Sequence, residues 1–350
     1  MIKNKCGFLG IGAYGGNQCL PFYKAGYACL FINTALPDLN SLTEVDEKFK
    51  YHIQGGEGCN KDRKKSKEIF RKDMDNIVNE IKDKLAGIEF LFIVGSSGGG
   101  TASGILASMK RIAMNEMELK ACVVVTVIPN TKTESVRAMM NCYETLAELE
   151  QLGGGPGATF ILDNDKNSNK LRINEMFFCF LDALLTNDSS SILGNLDNAE
   201  VEELLSTNGV AIISKLGKDK SDTQQLINTL HNNIYAPLEE DGVIKYIGLI
   251  NVGNGKNIRI EDLYAEIGTP FDTFVGFEAD STICIMAGCS LPYGKMQEIK
   301  EIIESNKDSV KKSLELKSKN RLTESFDFFA EKPKENKTKE KKKSNRDLLF

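Results

Sequence analysis

The sequence contains no apolar run of about 18 residues, so no segment is long enough for a transmembrane helix. It also lacks a recognisable cysteine framework, because its nine cysteines have neither the spacing of metal ligands nor that of a disulfide-rich fold. Cys122 and Cys284 lie inside strand-like runs and are most simply buried thiols. We therefore expect a cytoplasmic protein from a reducing environment, with no membrane contact.

Charge is unevenly distributed along the 350 residues, of which 41% are hydrophobic and 27% charged. This composition is typical of a globular protein, and the length allows two domains. Residues 332–350 carry a net charge of +5, whereas the whole chain is formally −5 and residues 1–331 are −10. This basic tail has little to bury, so we expect it to be disordered. It either keeps the chain solvated or tethers it to something acidic.

Apolar, β-branched runs alternate with segments of helical character in the first half of the chain. The runs are residues 5–12, 27–34, 90–95, 121–130 and 158–164. This alternation predicts a parallel α/β sheet with helices on both faces. A Phe-rich helix over 172–187 is too apolar to face water and is expected between two domains. Further strand-like runs at 208–214, 245–253, 273–279 and 281–288 predict a second, smaller mixed sheet, followed by a helix over 295–319.

Two glycine-rich loops each follow a predicted strand and precede a predicted helix. The first contains Gly10-x-Gly12-x-x-Gly15, and the second is the stretch GSSGGGTASG over 95–104. A flexible linker is the alternative for the second loop, but a linker does not normally join a strand directly to a helix. Backbone N–H groups crowded at the start of a helix form a cradle for an anion such as phosphate. Both loops therefore predict phosphate binding.

Neither loop completes a common nucleotide-binding motif. A dinucleotide fold needs Asp or Glu at the end of its second strand, where this chain has Asn33 and Thr34. A P-loop needs GxxxxGK[ST], which does not occur, and neither glycine loop supplies the lysine. The residues predict a nucleotide held by two glycine loops without a P-loop lysine.

This pair of loops resembles the tubulin/FtsZ superfamily, whose signature loop reads GGGTG[ST]G. Here the signature is Gly98 to Gly104, with Ala102 in place of a glycine. Other landmarks follow in order: FINTALPDL (31–39), GGEGCNKD (55–62), IPNTKTESVR (128–137), ILDNDK (161–166) and GNLDNAEVEELL (194–205).

The resemblance implies an α/β, tubulin/FtsZ-like fold. It divides into a Rossmann-type GTPase domain over 1–168, a central helix over 169–187 and a smaller α+β activation domain over 188–293. A C-terminal helix over 294–320 and a disordered basic tail over 321–350 complete it.

The same resemblance implies a site for GTP or GDP. Backbone groups of the second loop would face the phosphates, Glu134 the ribose, and Asn17, Asn164 and Asn174 the base. The expected GTP-binding residues are Gly12, Ala13, Tyr14, Gly16, Asn17, Asn33, Thr34, Gly56, Glu57, Gly58, Asn60, Gly98, Gly99, Gly100, Thr101, Ala102, Glu134, Asn164 and Asn174. Mg²⁺ is expected mainly on the phosphates.

Asn195, Asp197 and Glu200 are the expected catalytic residues. By resemblance, their loop reaches the nucleotide of the next subunit, where carboxylates polarise a water for attack on the γ-phosphate. Asp-x-x-Glu is equally a helix-capping pattern, which leaves a purely structural role open.

Within the superfamily, the loops and the lysine-rich tail are most similar to the TubZ branch of plasmid and phage partition proteins. This similarity implies a head-to-tail filament in a bacterial cytoplasm that moves DNA through an adaptor bound to the tail. Direct contact of the tail with nucleic acid is an alternative. The alternative functions are an FtsZ-like cell-division or phage-positioning tubulin, a non-hydrolysing tubulin-like binding protein and an NAD(P)- or FAD-dependent oxidoreductase.

Overall fold

Six parallel strands and six helices alternate in the first half of the chain. The computed structural model describes residues 2–188, 191–239, 242–252, 257–278 and 280–319, so the whole of the predicted tail (321–350) lies outside the described residues. The strands are β1 (Cys6–Ile11), β2 (Ala28–Asn33), β3 (Lys50–His52), β4 (Phe90–Ser96), β5 (Ala121–Ile128) and β6 (Thr159–Asp163). The helices are α1 (Gly12–Lys24), α2 (Leu36–Asn40), α3 (Arg63–Lys84), α4 (Thr101–Glu116), α5 (Val136–Leu152) and α6 (Lys170–Leu185).

The second half of the described chain adds four strands and four helices. In chain order they are α7 (Asn198–Ser206), β7 (Val210–Gly217), α8 (Thr223–His231), β8 (Tyr246–Val252), α9 (Ile260–Ile267), β9 (Asp272–Glu278), β10 (Ser281–Cys289) and α10 (Tyr293–Lys319). The predicted α/β architecture is confirmed, since every apolar run identified in the sequence forms a strand. Within the described residues no helix has both the length and the apolar character needed to cross a bilayer.

All ten strands belong to one sheet, in the order β3-β2-β1-β4-β5-β6-β7-β10-β8-β9. The prediction of a separate second sheet is therefore wrong. Strand β6 meets β7 through a single parallel pair, Thr159 and Val210, because the chain leaving α7 runs beside the start of β6. Strands β7, β10 and β8 pair antiparallel, which makes this end of the sheet mixed.

Helices cover both faces of the parallel strands, as strands buried on both sides require. Alternate residues of β1 point to opposite faces: Phe8 belongs to the core under α1 and α6, and Leu9 to the core under α3 and α4. The Phe8 ring stacks on Phe22 of α1 at 4.1 Å between centroids, and Phe22 contacts Phe178 of α6 at 5.0 Å. The Phe-rich helix is thus buried against α1 on one side and β7 and β10 on the other.

Helix α1 approaches the sheet so closely that one position admits only glycine. An ideal Cβ on Gly15 would lie 2.3 Å from the carbonyl oxygen of Val94. This is the third glycine of the first loop, and its absent side chain lets the helix start directly over β1 and β4. The strand order β3-β2-β1-β4-β5-β6 reverses direction between β1 and β4, which is where open α/β sheets bind ligands.

Candidate functional site

A cleft of about 430 Å³ opens at the carboxyl ends of the parallel strands. Its walls include residues at or just beyond five strand ends: Ile11, Asn33, Ser96, Pro129 and Asn164. The cleft spans the point where the strand order reverses. The topology alone therefore brings these separate loops to one place.

Thirteen of the predicted nucleotide-binding residues line this cleft. They are Gly12, Ala13, Tyr14, Asn33, Gly58, Asn60, Gly98, Gly99, Gly100, Thr101, Ala102, Glu134 and Asn164. The two glycine loops and four of the five other landmark segments thus line one cleft.

Six of the predicted residues lie outside the lining: Gly16, Asn17, Thr34, Gly56, Glu57 and Asn174. Thr34 is buried directly behind the wall, with its Oγ1 2.8 Å from Oγ1 of Thr101. Asn174 is buried in α6, and its backbone carbonyl accepts a hydrogen bond from Gln18 of α1. Asn17 and Glu57 are exposed.

The starts of α1 and α4 direct backbone N–H groups towards the cleft. Gly12 begins α1 with φ of +74°, a conformation that glycine adopts readily. Gly100 is the N-cap of α4 and supplies no side-chain hydrogen bond to it. The first N–H groups of a helix have no partner within the helix, and the helix dipole adds positive potential there. This part of the cleft is built to hold an anion.

The second glycine loop approaches the loop before α3 too closely for a side chain at Gly100. An ideal Cβ there would lie only 2.9 Å from the backbone nitrogen of Lys61, whereas one on Gly12 would make an ordinary contact of 3.5 Å with Cβ of Thr101. A ligand at this point therefore contacts main chain, which is what a phosphate group requires.

Side chains behind the second glycine loop bind its carbonyl groups. Asn141 of α5 donates one amide hydrogen to the oxygen of Gly99 (2.9 Å) and another to that of Lys61 (3.0 Å). Ser103 also donates to Gly99 (2.7 Å), and the buried Arg63 guanidinium donates twice to the oxygen of Ser103. Because these carbonyls have partners outside the cleft, their negative ends do not oppose an anion inside it.

Lys61 also lines the cleft and is not among the residues predicted from the sequence. Its φ is +56° and that of the preceding Asn60 is +47°. Two consecutive residues other than glycine therefore have left-handed backbone conformations. Its Nζ lies 3.5 Å from Oε2 of Glu134 and 3.3 Å from Oγ of Ser135. The P-loop motif carries its lysine in the glycine loop, whereas this cation comes from the irregular loop before α3.

The cleft also presents an amide, that of Asn164, and a carboxylate, that of Glu134. Asn164 follows β6, and its backbone oxygen accepts from Nδ2 of Asn130 at 3.2 Å. The ion pair with Lys170 lowers the pKa of Glu134, which keeps this carboxyl group ionised. An amide beside a carboxylate offers both donors and acceptors to a base and a sugar.

Asn195, Asp197 and Glu200 lie at the other end of the molecule. Asp197 is the N-cap of α7: its Oδ1 accepts from the Glu200 N–H at 2.9 Å, and the Glu200 Oε2 accepts from the Asp197 N–H at 2.8 Å. The capping box allowed by the sequence is therefore present. Burial raises the pKa of Glu200, and the negative charges of Asp197 and Asp272 raise it further. The hydrogen bond from the Asp197 N–H lowers the same pKa.

Ion pairs hold α7 at the amino ends of the strands. Glu202 lies 2.8 Å from Nζ of Lys5, just before β1, and 2.6 Å from Nζ of Lys120, just before β5. The cleft is at the carboxyl ends of the same strands, and the eight residues of β5 extend over about 23 Å. Asp197 and Glu200 are therefore remote from the cleft of their own chain.

Comparisons with known proteins agree with this geometry. Residues 17–171 match the Tubulin/FtsZ family, GTPase domain. The chain is 29% identical over 324 residues to the tubulin-like protein TubZ of Clostridium botulinum C phage, which covers 91% of this chain and 87% of the relative.

Solved structures give the same result. The tail-truncated Clostridium botulinum phage c-st TubZ has a TM-score of 0.78 at 26% identity, covering 88% of this chain and 100% of that one. The GTPγS-form protofilament of Bacillus thuringiensis serovar israelensis TubZ shares the fold with a TM-score of 0.70 at 15% identity, covering 91% of this chain and 96% of that one.

Ala102, which departs from the signature loop, packs into the core rather than obstructing the cleft. Its Cβ would lie 2.5 Å from a Cβ added to Gly95, and it belongs to the core between β4 and α4. We predict that Ala102→Gly lowers the free energy of unfolding by about 1–2 kcal/mol, through the lost methyl and the freer backbone. Urea unfolding and the affinity for a fluorescent GTP analogue measure the two effects.

Ala107→Gly is the matched control, since Ala107 is buried on the same helix outside the cleft lining. Both variants are expected to lose similar stability and to keep the wild-type affinity. A tenfold change in affinity confined to Ala102→Gly would contradict this reading of the methyl group.

Proposed function

The chain belongs to the tubulin/FtsZ family through residues 17–171, and we propose that it is a GTPase that assembles head to tail into filaments. Hydrolysis takes place at the junction between two subunits. Each junction combines the cleft of one subunit with the α7 loop of the next.

The cleft suits a guanine nucleotide from end to end. The phosphates bind the N–H groups at the starts of α1 and α4, with Lys61 supplying a nearby cation. Glu134 accepts hydrogen bonds from the ribose, and the Asn164 amide pairs with the guanine edge, which both donates and accepts.

Asp38 is a carboxylate in the cleft wall, the ligand type that Mg²⁺ takes together with phosphate oxygens. Among the described residues, no group of three or more Asp, Glu, His or Cys forms a self-sufficient metal site. Bound Mg²⁺ would neutralise charge on the β- and γ-phosphates.

The separation of α7 from the cleft is the observation that carries the proposal. Asp197 and Glu200 cannot reach a nucleotide in their own subunit, because the length of β5 lies between them. In a head-to-tail stack the amino-end face of one subunit meets the carboxyl-end face of the next. We propose that the two carboxylates then lie at the neighbour's γ-phosphate.

Glu200 is suited to act on water. Its raised pKa makes it a better proton acceptor than an ordinary exposed glutamate, and one oxygen remains beyond the capping hydrogen bond. The capping box then has a second role, since it fixes the orientation of both carboxylates before a neighbour arrives. Asn195 precedes them in the same loop, and its Oδ1 accepts from the Ser191 N–H at 2.6 Å.

We further propose that the filament partitions plasmid or phage DNA in a bacterial cytoplasm. The similarity to phage TubZ over most of the chain supports this role. The basic residues 332–350 are proposed to engage a DNA-bound adaptor, although they lie outside the described residues.

The protein is expected to assemble at micromolar concentration with GTP and Mg²⁺ but not with ATP. Adenine has an amino group where guanine has a carbonyl and lacks the 2-amino group, so we expect it to make fewer hydrogen bonds in a site arranged for guanine. Light scattering and phosphate release measured in parallel test this selectivity. Equal assembly and turnover with ATP would contradict the assignment of the base site.

Glu200→Gln isolates the catalytic role from the capping role. The glutamine oxygen can still accept from the Asp197 N–H, so stability should stay within about 1 kcal/mol of wild type. Loss of the carboxylate should slow GTP hydrolysis by roughly 100-fold or more and prolong the life of filaments.

Glu203→Gln is the control for Glu200→Gln, because Glu203 is an exposed carboxylate on the same helix. It should hydrolyse GTP normally. If Glu200→Gln releases phosphate at the wild-type rate, Asp197 and Glu200 serve only as a helix cap.

Deleting residues 332–350 should leave assembly and GTP hydrolysis intact while abolishing recruitment to an adaptor–DNA complex. Binding by the full chain should weaken steeply from about 50 to 200 mM salt, because lysines that contact phosphates release counterions. The same salt series with naked DNA separates direct nucleic-acid binding from adaptor binding. A truncated chain that binds the complex as well as full length would show that the tail only keeps the protein solvated.

A further inference from the structure

Lys295, in the first turn of α10, lies against the loop that carries Asn164. Its side chain is only 7% exposed, and its Nζ is 2.7 Å from Oδ2 of Asp165 and 3.7 Å from Oδ2 of Asp163. Glu298, one turn along the helix, is 2.9 Å away and half exposed. A nearly buried lysine thus connects the C-terminal helix to residues on both sides of Asn164.

The loop itself is held from its other side by the segment after β5. Asp165 accepts hydrogen bonds from the N–H and the hydroxyl of Thr131, at 2.9 and 2.7 Å. The Asn164 N–H donates to the Ile128 carbonyl, and the Asn164 carbonyl accepts from Asn130. The main chain of Asn164 is therefore fixed between the β5 loop and the aspartates that bind Lys295.

We propose that Lys295 is a positioning residue for recognition of the guanine base. It holds the Asp163–Asp165 loop against α10 and thereby sets where the Asn164 amide lies in the cleft. The inference rests on the proposed binding of GTP in this cleft, and it adds that the C-terminal helix takes part in base selectivity.

The charges of this cluster explain why the lysine matters. Asp163 is 2% exposed at its side chain, and Asp165 lies two residues away. Burial raises the pKa of Asp163, whereas Lys295 counteracts that effect. Without the ammonium group, two neighbouring carboxylates would face each other in a poorly solvated space. The loop would also lose its tether to α10 and move outwards, taking Asn164 with it.

The connection works in both directions. The start of α10 is held by Lys295 and by two further contacts: Tyr293 donates to Glu150 at 2.7 Å, and the Gly294 N–H donates to Glu239 at 2.8 Å. A nucleotide that orders the Asn164 loop must also stabilise this first turn, because coupling between two sites is reciprocal. Nucleotide binding should therefore slow amide exchange at the start of α10.

Lys295→Met is the direct test, because methionine keeps much of the apolar stem and removes the charge. The affinities for GTP and for ITP, which lacks the 2-amino group of guanine, are measured at equilibrium. Wild type should bind GTP more tightly than ITP. In the variant we expect the GTP affinity to fall roughly 10- to 100-fold, and the preference over ITP to shrink with it. Lys300→Met, an exposed lysine on the same helix, should behave as wild type.

A double variant guards against simple misfolding. Lys295→Met combined with Asp163→Asn removes the unpaired buried charge, so thermal stability should return towards wild type while base selectivity does not. Hydrogen exchange of α10 with and without GTP provides a readout independent of hydrolysis, and the nucleotide-dependent protection should be lost in both variants.

Unchanged GTP and ITP affinities in a folded Lys295→Met protein, or selectivity restored in the double variant, would overturn the inference. Failure of wild type itself to prefer GTP would contradict the proposed function instead, and the inference with it.

Discussion

The parallel alignment of six strands is the constraint on which the rest of this structure depends. All their carboxyl ends meet at one edge, so loops distant in sequence form a single cleft there. All their amino ends meet at the opposite edge, where Lys5 and Lys120 bind Glu202 of α7. The cleft and the carboxylates of Asp197 and Glu200 are thus held about one strand length apart. In the proposed function, a copy stacked head to tail brings these acidic groups to the cleft of its neighbour.

The cleft is shaped largely by residues that do not line it. Asn141 and Arg63 draw the carbonyls of the second glycine loop backwards, so that its N–H groups remain for an anion. Thr34 supports Thr101, and the aspartates bound by Lys295 support Asn164. Helices α3, α5 and α10 therefore act as an outer layer that fixes main-chain positions. This arrangement makes the site sensitive to changes at some distance from the nucleotide.

The sequence predicted the parallel strands and the glycine loops well, because buried strands read as continuous apolar runs and the loops have unusual composition. It did not predict the single Thr159–Val210 pair that joins the two parts of the sheet, since one pair leaves no periodic signal. Lys61 was missed because its left-handed loop follows no regular pattern, and Lys295 because its partner Asp165 lies 130 residues away. Asp197 and Glu200 stayed ambiguous for a physical reason: the Asp-x-x-Glu spacing suits a helix cap and a catalytic pair alike.

Mixing two inactive variants tests the division of the site between subunits most directly. Glu200→Gln keeps an intact cleft, whereas Gly99→Asp keeps an intact α7 loop and places a carboxylate among the phosphate-binding groups. An added Cβ at Gly99 meets nothing closer than 3.5 Å, so this variant should fold. The account predicts little phosphate release from either protein alone and clear recovery when they are mixed, because one junction in the mixture combines a working cleft with a working loop. Absence of recovery in mixtures that co-assemble would contradict it.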